Sequence, residues 1–299
     1  MAVILDGTNG LTLPTWTTST RPASPTDGCI GLNTGTGYLE VYQNTVWIRI
    51  AIADASVTAN VLVVAGGGGG GANENTTNGD AAGGGGAGGL INATSMVFEG
   101  ATTYTVTVGA GGISGTGAVN PTTGDNSSLT GTGISLTCYG GGYGGTERVS
   151  GPVQQGGNGG SGGGAANNFS TAAAGGISVY LGSSHVSLYR QGFNGGDTLT
   201  GSTSFRAGSG GGGAGGAGVT RTSSTGGAGG VGVSIDYSGD PITYATGGSG
   251  GTFLGAANGA AGAVNTGNGG GGAGSSAVQW VGGAGGSGIV IIQYPSPVA

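Results

Sequence analysis

Val61-Leu-Val-Val-Ala-Gly-Gly-Gly-Gly-Gly-Gly71 is the stretch on which the fold turns. A β-branched run of the kind that favours a buried strand passes directly into six consecutive glycines. Glycine supplies 80 of the 299 residues and proline 8, a content at which low-complexity disorder is the usual reading. Val, Ile, Leu and Phe together make up only about 18 % of the chain, which points the same way. Disordered chains, however, are held open by charge, and here Lys+Arg number 6 and Asp+Glu 12, for a net charge of −6. Two further β-branched runs, Tyr104-Thr-Val-Thr-Val108 before Gly109 and Ile289-Val-Ile-Ile292 after the last glycine block, bracket the glycine-rich region with strands. A flexible Gly/Ser linker does not alternate with apolar strands in this way.

The blocks lie near residues 66–71, 83–89, 140–145, 156–164, 208–218, 226–232, 247–251, 267–274 and 282–288. They follow no strict Gly-X-Y period, which excludes a collagen triple helix. A glycine run can instead adopt the polyproline-II conformation, whose peptide groups have no internal partners and must bond to neighbouring segments. Without Cβ atoms such helices can pack side by side on several faces. A block such as 208–218 would span roughly 34 Å at ~3.1 Å per residue. The scattered Ala87, Ala214, Ala217, Ala228 and Ala284 are expected where a helix faces outward or toward an edge.

Residues 1 to about 58 have a different grammar. Short strands are expected at Ala2–Leu5, Gly28–Asn33, Tyr38–Gln43 and Val46–Ala53, separated by the turn dipeptides Asp6-Gly7, Asn9-Gly10 and Asp27-Gly28. Asn33-Thr-Gly-Thr-Gly37 reads as a hairpin connection, and the alternation along Tyr38–Tyr42 as a strand with one buried face. Strands this short are marginal alone and suggest pairing between copies of the chain. The fold class expected is therefore mainly β and irregular. An N-terminal β attachment and oligomerisation region, 1–58, precedes a polyglycine-II helix sandwich with flanking strands and long loops, 59–299. A weak echo of the Asp125–Gly140 pattern at Asp197–Gly210 suggests repeated architecture.

Six scattered arginines and a pI near 4.4 cannot assemble a track for phosphates, so no nucleic-acid partner is expected. Met1-Ala-Val-Ile-Leu5 runs straight into Asp6, too short and uncharged for a signal peptide, and no apolar run approaches bilayer length. Synthesis in a cytoplasm without membrane insertion is expected. Cys29 and Cys138 read as reduced, semi-buried residues rather than a disulfide framework.

Residues 61–294 resemble the glycine-rich domain of many phage tail-fibre and adhesin proteins. The likeness is carried by Val61-Leu-Val-Val-Ala-Gly-Gly67, Thr103-Tyr-Thr-Val-Thr-Val-Gly-Ala-Gly-Gly112 and Gly282-Gly-Ala-Gly-Gly-Ser-Gly-Ile-Val-Ile-Ile-Gln-Tyr294, in that order. The first region resembles the short β segments of fibre proteins through Gly31-Leu-Asn-Thr-Gly-Thr-Gly-Tyr-Leu-Glu-Val-Tyr42 and Trp47. The resemblance implies a polyglycine-helix sandwich whose interblock loops recognise a bacterial surface.

Loops joining rigid rods project at the two ends of a bundle, where aromatic rings can stack on sugars or anchor protein contacts. Tyr180, His185, Tyr189, Arg190 and Phe193 fall in the longest stretch poor in glycine. Tyr237 and Tyr244 fall in another, with Asp236 and Asp240, and Trp280 stands between blocks. These are the receptor-binding candidates, weighed against the alternative that several rings merely cover the bundle. Tyr139 and Tyr143, embedded in glycine, are expected to be structural. Catalysis finds little support, because His185 has no indicated orienting carboxylate and the Asp236/Asp240 spacing fixes no geometry. Asn194-Gly-Gly-Asp-Thr-Leu199 is a single copy of a calcium-type repeat that needs several, so neither metal nor cofactor is expected. The expected partners are a host cell-surface glycan or outer-membrane protein, other virion proteins, and further copies of the chain, as a trimer. The expected location is the virion. A capsid fibre or decoration protein without a receptor role is the alternative, and an ice-binding face is opposed by the lack of threonine rows.

Overall fold

The computed structural model describes residues 4–6, 10–50, 56–73, 80–147, 155–167, 172–183, 186–198, 206–276 and 278–294. The chain divides into two compact units, Met1–Val57 with Glu99–Thr102, and Thr58–Phe98 with Thr103–Ala299. Among the described residues all regular structure is β, in six small sheets, and the fold class is mainly β and irregular.

In the first unit, β1 (Ile4–Asp6) and β2 (Gly10–Thr12) form a hairpin. The strands β3 (Thr15–Trp16), β4 (Ile30–Asn33), β5 (Tyr38–Gln43) and β6 (Val46–Ile50) form a sheet in chain order. The hairpin expected at Asn33–Gly37 forms, with Leu32 opposite Leu39. Its turn is pinned by Asn33 Oδ1, which accepts from the amides of Gly35 and Thr36 at 3.0 and 3.2 Å, while Gly37 takes a φ of +75° that a side chain would resist. The short β3, parallel to β4, is unforeseen in the sequence; the expected residues 2–3 and 51–53 lie outside the described residues. Trp16 is buried over Gly31, where a Cβ would lie 2.3 Å from the ring, and meets Trp47 edge-on at 5.0 Å.

Beneath it lies Glu40, a fully buried carboxylate in a strand that alternation alone would make half apolar. It accepts from Trp16 Nε1 at 2.9 Å, Asn33 Nδ2 at 3.0 Å and both arms of Arg21. The bidentate Arg21 guanidinium holds the Glu40 carboxyl at about 2, against the opposing pull of burial.

In the second unit, β7 (Val57–Val64) lies between β8 (Leu90–Phe98) and β16 (Ile289–Gln293), with Val64 opposite Ile289 and Asn60 opposite Gln293. β7 is apolar on both faces because both are covered. Val61, Val63, Ile91, Phe98, Leu129 and Leu136 fill one side, and Leu62, Val64, Ala87, Leu90 and Tyr244 the other. Three hairpin elements complete the unit: β9 (Thr105–Thr107), β10 (Ser127–Gly131) and β11 (Ile134–Cys138) in one sheet, β12 (Tyr180–Ser183) with β13 (Val186–Arg190), and β14 (Val233–Ile235) with β15 (Ile242–Tyr244). Cys138 is buried and free, its Sγ donating to Val63 O at 3.2 Å, and burial pushes the thiol well above its ordinary range.

The bulk of this unit consists of extended segments bonded sideways with a repeat of three. Along 66–71 the amides of Gly66 and Gly69 donate to Asp125 and Thr122, those of Gly67 and Gly70 to Gly286 and Gly283, and those of Gly68 and Gly71 to Gly86 and Gly83. Their carbonyls accept in the same rhythm. Gly141 and Gly144 donate to Gly66 and Gly69, Gly112 and Gly115 to Gly67 and Gly70, and Gly270 and Ala273 to Gly68 and Gly71. Each third of the segment thus faces a different pair of neighbours, and six segments surround it. Three residues per turn is the repeat of a polyproline-II helix. Segments 81–89 and 206–214 are enclosed in the same manner.

Tracing these bonds from segment to segment gives three stacked rows. The middle row runs through 109–115, 65–73, 81–89, 206–214 and 215–220. One flanking row runs through 281–288, 267–274, 245–252 and 226–231, and the other through 121–126, 139–147, 160–167 and 192–198. Segment 255–263 lies on the first flanking row, bonded to 271 and 274 on one side and 281 and 284 on the other. Glycine is required inside because the segments nearly touch. A Cβ at Gly70 would lie 1.9 Å from Gly271 O, and one at Gly67 2.1 Å from Asn268 O.

At the periphery only every third residue faces inward. In 109–115, Gly109, Gly112 and Gly115 are buried while Ala110 and Ile113 are exposed. Ala217, Ala228 and Ala284 are exposed as expected, and Ala214 is partly so. Ala87 corrects the expectation. It is fully buried, because at its position the neighbours are the apolar side chains of Leu62, Val64 and Leu90, which welcome a methyl group.

Candidate functional site

Strand β7 enters segment 65–73 and β8 leaves 81–89, so both strands mark one end of the stacked rows. The hairpins β10–β11, β12–β13 and β14–β15 share that end. Gly89 donates to Tyr139 just beyond β11, Leu90 to Gln191 just beyond β13, and Ala214 to Ala245 just beyond β15. The opposite end gathers Asn73, Asp80, Glu147, Asn167, Arg206, Arg221 and Trp280.

The hairpin end carries most of the residues singled out from the sequence. In β12–β13, Tyr180 stands opposite Arg190 and Leu181 opposite Tyr189, with a bulge between Leu181 and Ser183 that bends the ribbon. His185 lies outside the described residues. Phe193 is not in a loop. Its amide donates to Gly213 O and its carbonyl accepts from Gly162 N, both at 3.0 Å, so it belongs to a bonded segment with its side chain half-buried.

Tyr237 leans inward from the β14–β15 turn, its hydroxyl donating to Asn92 Oδ1 at 2.7 Å and its ring packing on the Leu62 cluster. Tyr244 is a correction. It is 2 % exposed at the centre of that cluster, because it alternates inward with Val233 opposite, and it offers no ring to an outside surface. Asp236 and Asp240 are both exposed at the turn, where Gly239 N donates to Asp236 O at 2.9 Å. Tyr143 lies against Gly157, in line with its expected structural role.

Trp280 is separated from these residues by the length of a segment. Its carbonyl accepts from Asn73 N at 3.2 Å, and its indole Nε1 donates to Ser276 Oγ at 2.7 Å. The candidates therefore fall into two groups at opposite ends, not one surface.

Beside Trp280's end lies a charged node that composition alone does not reveal. Asp80 is buried and accepts from Asn167 Nδ2 at 2.8 Å; Arg206 Nε stands 3.6 Å from the same oxygen, and Arg221 donates to Asn167 Oδ1. Burial raises the Asp80 carboxyl against the pull of Asn167 and the two arginines, and lowers the Arg221 guanidinium. Its geometry ties four segment ends together and supplies no exposed nucleophile or base. The sequence signal was present but faint: Asp80, Arg206 and Arg221 are rare charges that each flank a glycine block. Gln191 is a second such tie, accepting from Tyr139 N at 2.9 Å and donating to Thr137 O at 2.7 Å.

The first unit has its own cleft of about 590 Å³, walled by Pro14, Trp16, Pro22, Pro25, Asp27 and Cys29. Its lining also includes the hydroxyl-bearing Thr20, Ser24 and Thr26, and Asp27 is its one carboxylate.

Compared with known families, residues 44–295 match the family model described as a glycine-rich domain. No curated protein and no solved structure matches the chain.

Proposed function

The chain belongs to the glycine-rich domain family, and from that premise we propose that it is a structural virion protein, a tail fibre or adhesin that binds a bacterial host surface. The observation that carries the reading is the sideways bonding of 65–73, 81–89 and 206–214, each enclosed by six other segments. We take these as polyglycine-II helices. At most interior glycines a Cβ would lie within 3 Å of a neighbouring backbone atom, so large side chains are confined to outward positions and the ends. That is the design of a rigid mount for recognition elements.

Recognition is assigned to the end formed by β10–β11, β12–β13 and β14–β15. Tyr180, Tyr189 and Arg190 lie in a two-stranded ribbon there, and Asp236 and Asp240 at a neighbouring turn. Aromatic, guanidinium and carboxylate groups together suit a glycan or an outer-membrane protein loop. No reaction is assigned to these residues. Each contact would be weak, and several copies on one particle would sum to firm attachment through effective concentration. Assembly with other virion proteins is assigned to the N-terminal region.

Adsorption competition tests this. Purified protein added to susceptible bacteria should slow particle adsorption and should bind those cells but not resistant ones. Replacing 180–190 by a short Gly-Asn turn should abolish both effects while leaving the melting curve of the body in place. Absence of binding and of competition by the unaltered protein would overturn the reading.

A further inference from the structure

Segment 267–274 is bounded by 245–252, 81–89, 65–73, 281–288 and 255–263, taken in order around it. Each adjoining pair in that ring is itself hydrogen-bonded along its length, except 255–263 and 245–252, which meet only at the turn joining them, where Gly255 N donates to Thr252 O at 3.2 Å. Between those two the sixth position is open. It forms a trough of about 310 Å³ floored by Asn268, Gly269 and Gly271 and walled by Gly247 to Ser249 and Ala260 to Ala263. The carbonyls of Gly269 and Gly272, three residues apart on the side facing the trough, accept no hydrogen bond from any described residue. On the wall, the amides of Ala260, Ala261 and Ala263 likewise donate to none. Segment 255–263 is thus one member of an unfinished row, and the trough is the place of the next.

We propose that the trough is filled by segment 255–263 of a second copy of this chain, in a two-fold dimer whose axis runs parallel to the segment. The arrangement is self-complementary. The second copy's segment completes the row beside the first, and the first copy's segment enters the equivalent trough of the second, as an isologous interface requires. The shared row has donors to spare and the troughs have acceptors at the matching interval of three. Charge does not oppose the approach, since no residue of the walls or floor is ionisable. Nor does bulk, because the walls carry hydrogen, methyl or hydroxyl-bearing side chains of small size.

A separate observation points to the same face. Leu254 and Val264, at the two ends of this segment, are 73 % and 74 % exposed, the highest values among the described large apolar side chains. Leu254 is held with φ at +58°, a left-handed conformation that a leucine rarely adopts, and Asn265 beside Val264 has φ +59°. Apolar caps kept outward at a conformational cost fit a face that is covered in the assembled protein.

The test uses the full chain. Sedimentation analysis should give twice the chain mass, and Ala261→Arg, on an exposed wall position, should raise the dimer dissociation constant at least ten-fold with an unchanged melting curve. Ala261→Cys in a Cys29→Ser background should form a disulfide-linked dimer on mild oxidation, because residue 261 faces its own copy across the axis; Ala228→Cys, on a distant outward position, should not. A monomer at all concentrations overturns the proposal. So does a dimer that Ala261→Arg leaves intact, or one in which Ala228→Cys crosslinks and Ala261→Cys does not.

Discussion

Substituting Gly70 by alanine tests the close approach on which the second unit depends. The added Cβ would lie 1.9 Å from Gly271 O and 2.5 Å from its carbonyl carbon. A relaxed carbon-to-oxygen contact is about 3.3 Å, so segments 65–73 and 267–274 must part by about 1.4 Å. The bonds between them, Gly270 N to Gly68 O at 2.9 Å and Ala273 N to Gly71 O at 3.0 Å, would stretch beyond 4 Å, outside any hydrogen-bonding range. The residues carrying both bonds are buried. Each unsatisfied buried pair costs about 1–3 kcal/mol, so Gly70→Ala is expected to destabilise the unit by about 2–6 kcal/mol. Gly216→Ala is the matched control. Its Cβ would meet Val231 Cγ2 at 3.1 Å and then only Val231 N at 3.7 Å, and Val231 is 64 % exposed and can turn aside. Its cost should stay below about 1 kcal/mol, with lower entropy in the unfolded chain acting in its favour. Denaturant titration followed by circular dichroism reads both, taking the transition of the larger unit separately because two units need not melt together. Equal stability of Gly70→Ala and the parent, within about 0.5 kcal/mol, would refute the reasoning.

In the first unit, the Glu40 carboxyl is held at about 2, below its value in the unfolded chain, so its contribution is complete above about pH 4.5 and is lost as pH falls toward 2. The full loss is at most about 3 kcal/mol, since a tenfold change in an acidity constant corresponds to about 1.4 kcal/mol. Thermal melts of this unit should show that loss, and Glu40→Gln should flatten the pH dependence while lowering stability at neutral pH; an unchanged profile in the variant would dismiss the role of this carboxylate. In the larger unit, Tyr244→Ala should cost about 3–5 kcal/mol, as for other buried aromatic rings. Tyr237→Phe should cost only about 1 kcal/mol by removing the bond to Asn92, and denaturant midpoints for the pair would expose a Tyr244 ring that is not in the core.

The strands were legible where apolar residues cluster. Val61–Val64 and Ile289–Ile292 announce themselves by β-branching, Tyr38–Gln43 by its alternation, and the Asn33–Gly37 hairpin by its turn chemistry. β8 was not legible, because Leu90-Ile-Asn-Ala-Thr-Ser-Met-Val-Phe98 mixes polar and apolar residues without a clean period of two. The apolar alternation rule also fails at Glu40, whose partners Trp16 and Arg21 lie 24 and 19 residues away. Tyr244 was misread because an aromatic residue near a turn has the same local sequence whether its ring faces out or in. Only the pairing with Val233 fixes the face.

The most instructive miss is segment 121–126, Pro-Thr-Thr-Gly-Asp-Asn, which no search for glycine blocks would find. It is bonded into the outer row through Thr122 O to Gly69 N, Asp125 O to Gly66 N and Gly124 N to Gly141 O. Pro121, Gly124 and Ser127 are buried and the residues between them exposed. A segment enclosed on all sides must be glycine at nearly every position, whereas one on the outside needs a small inward residue only at every third. Glycine density therefore reports depth within the rows, not membership of them. The same rule explains why 255–263, Gly-Ala-Ala-Asn-Gly-Ala-Ala-Gly-Ala, carries glycine at 259 and 262: Gly259 faces Gly271 and Gly283, Gly262 faces Asn268 and Gly286, and the alanines at 260, 261 and 263 line the open trough. Fully buried alanines do occur inside the rows, at Ala82 and Ala273, but 255–263 carries alanine at five of its nine positions. That share marks a segment with an open flank, and methyl groups rather than charges on that flank are what contact with a second copy can accept.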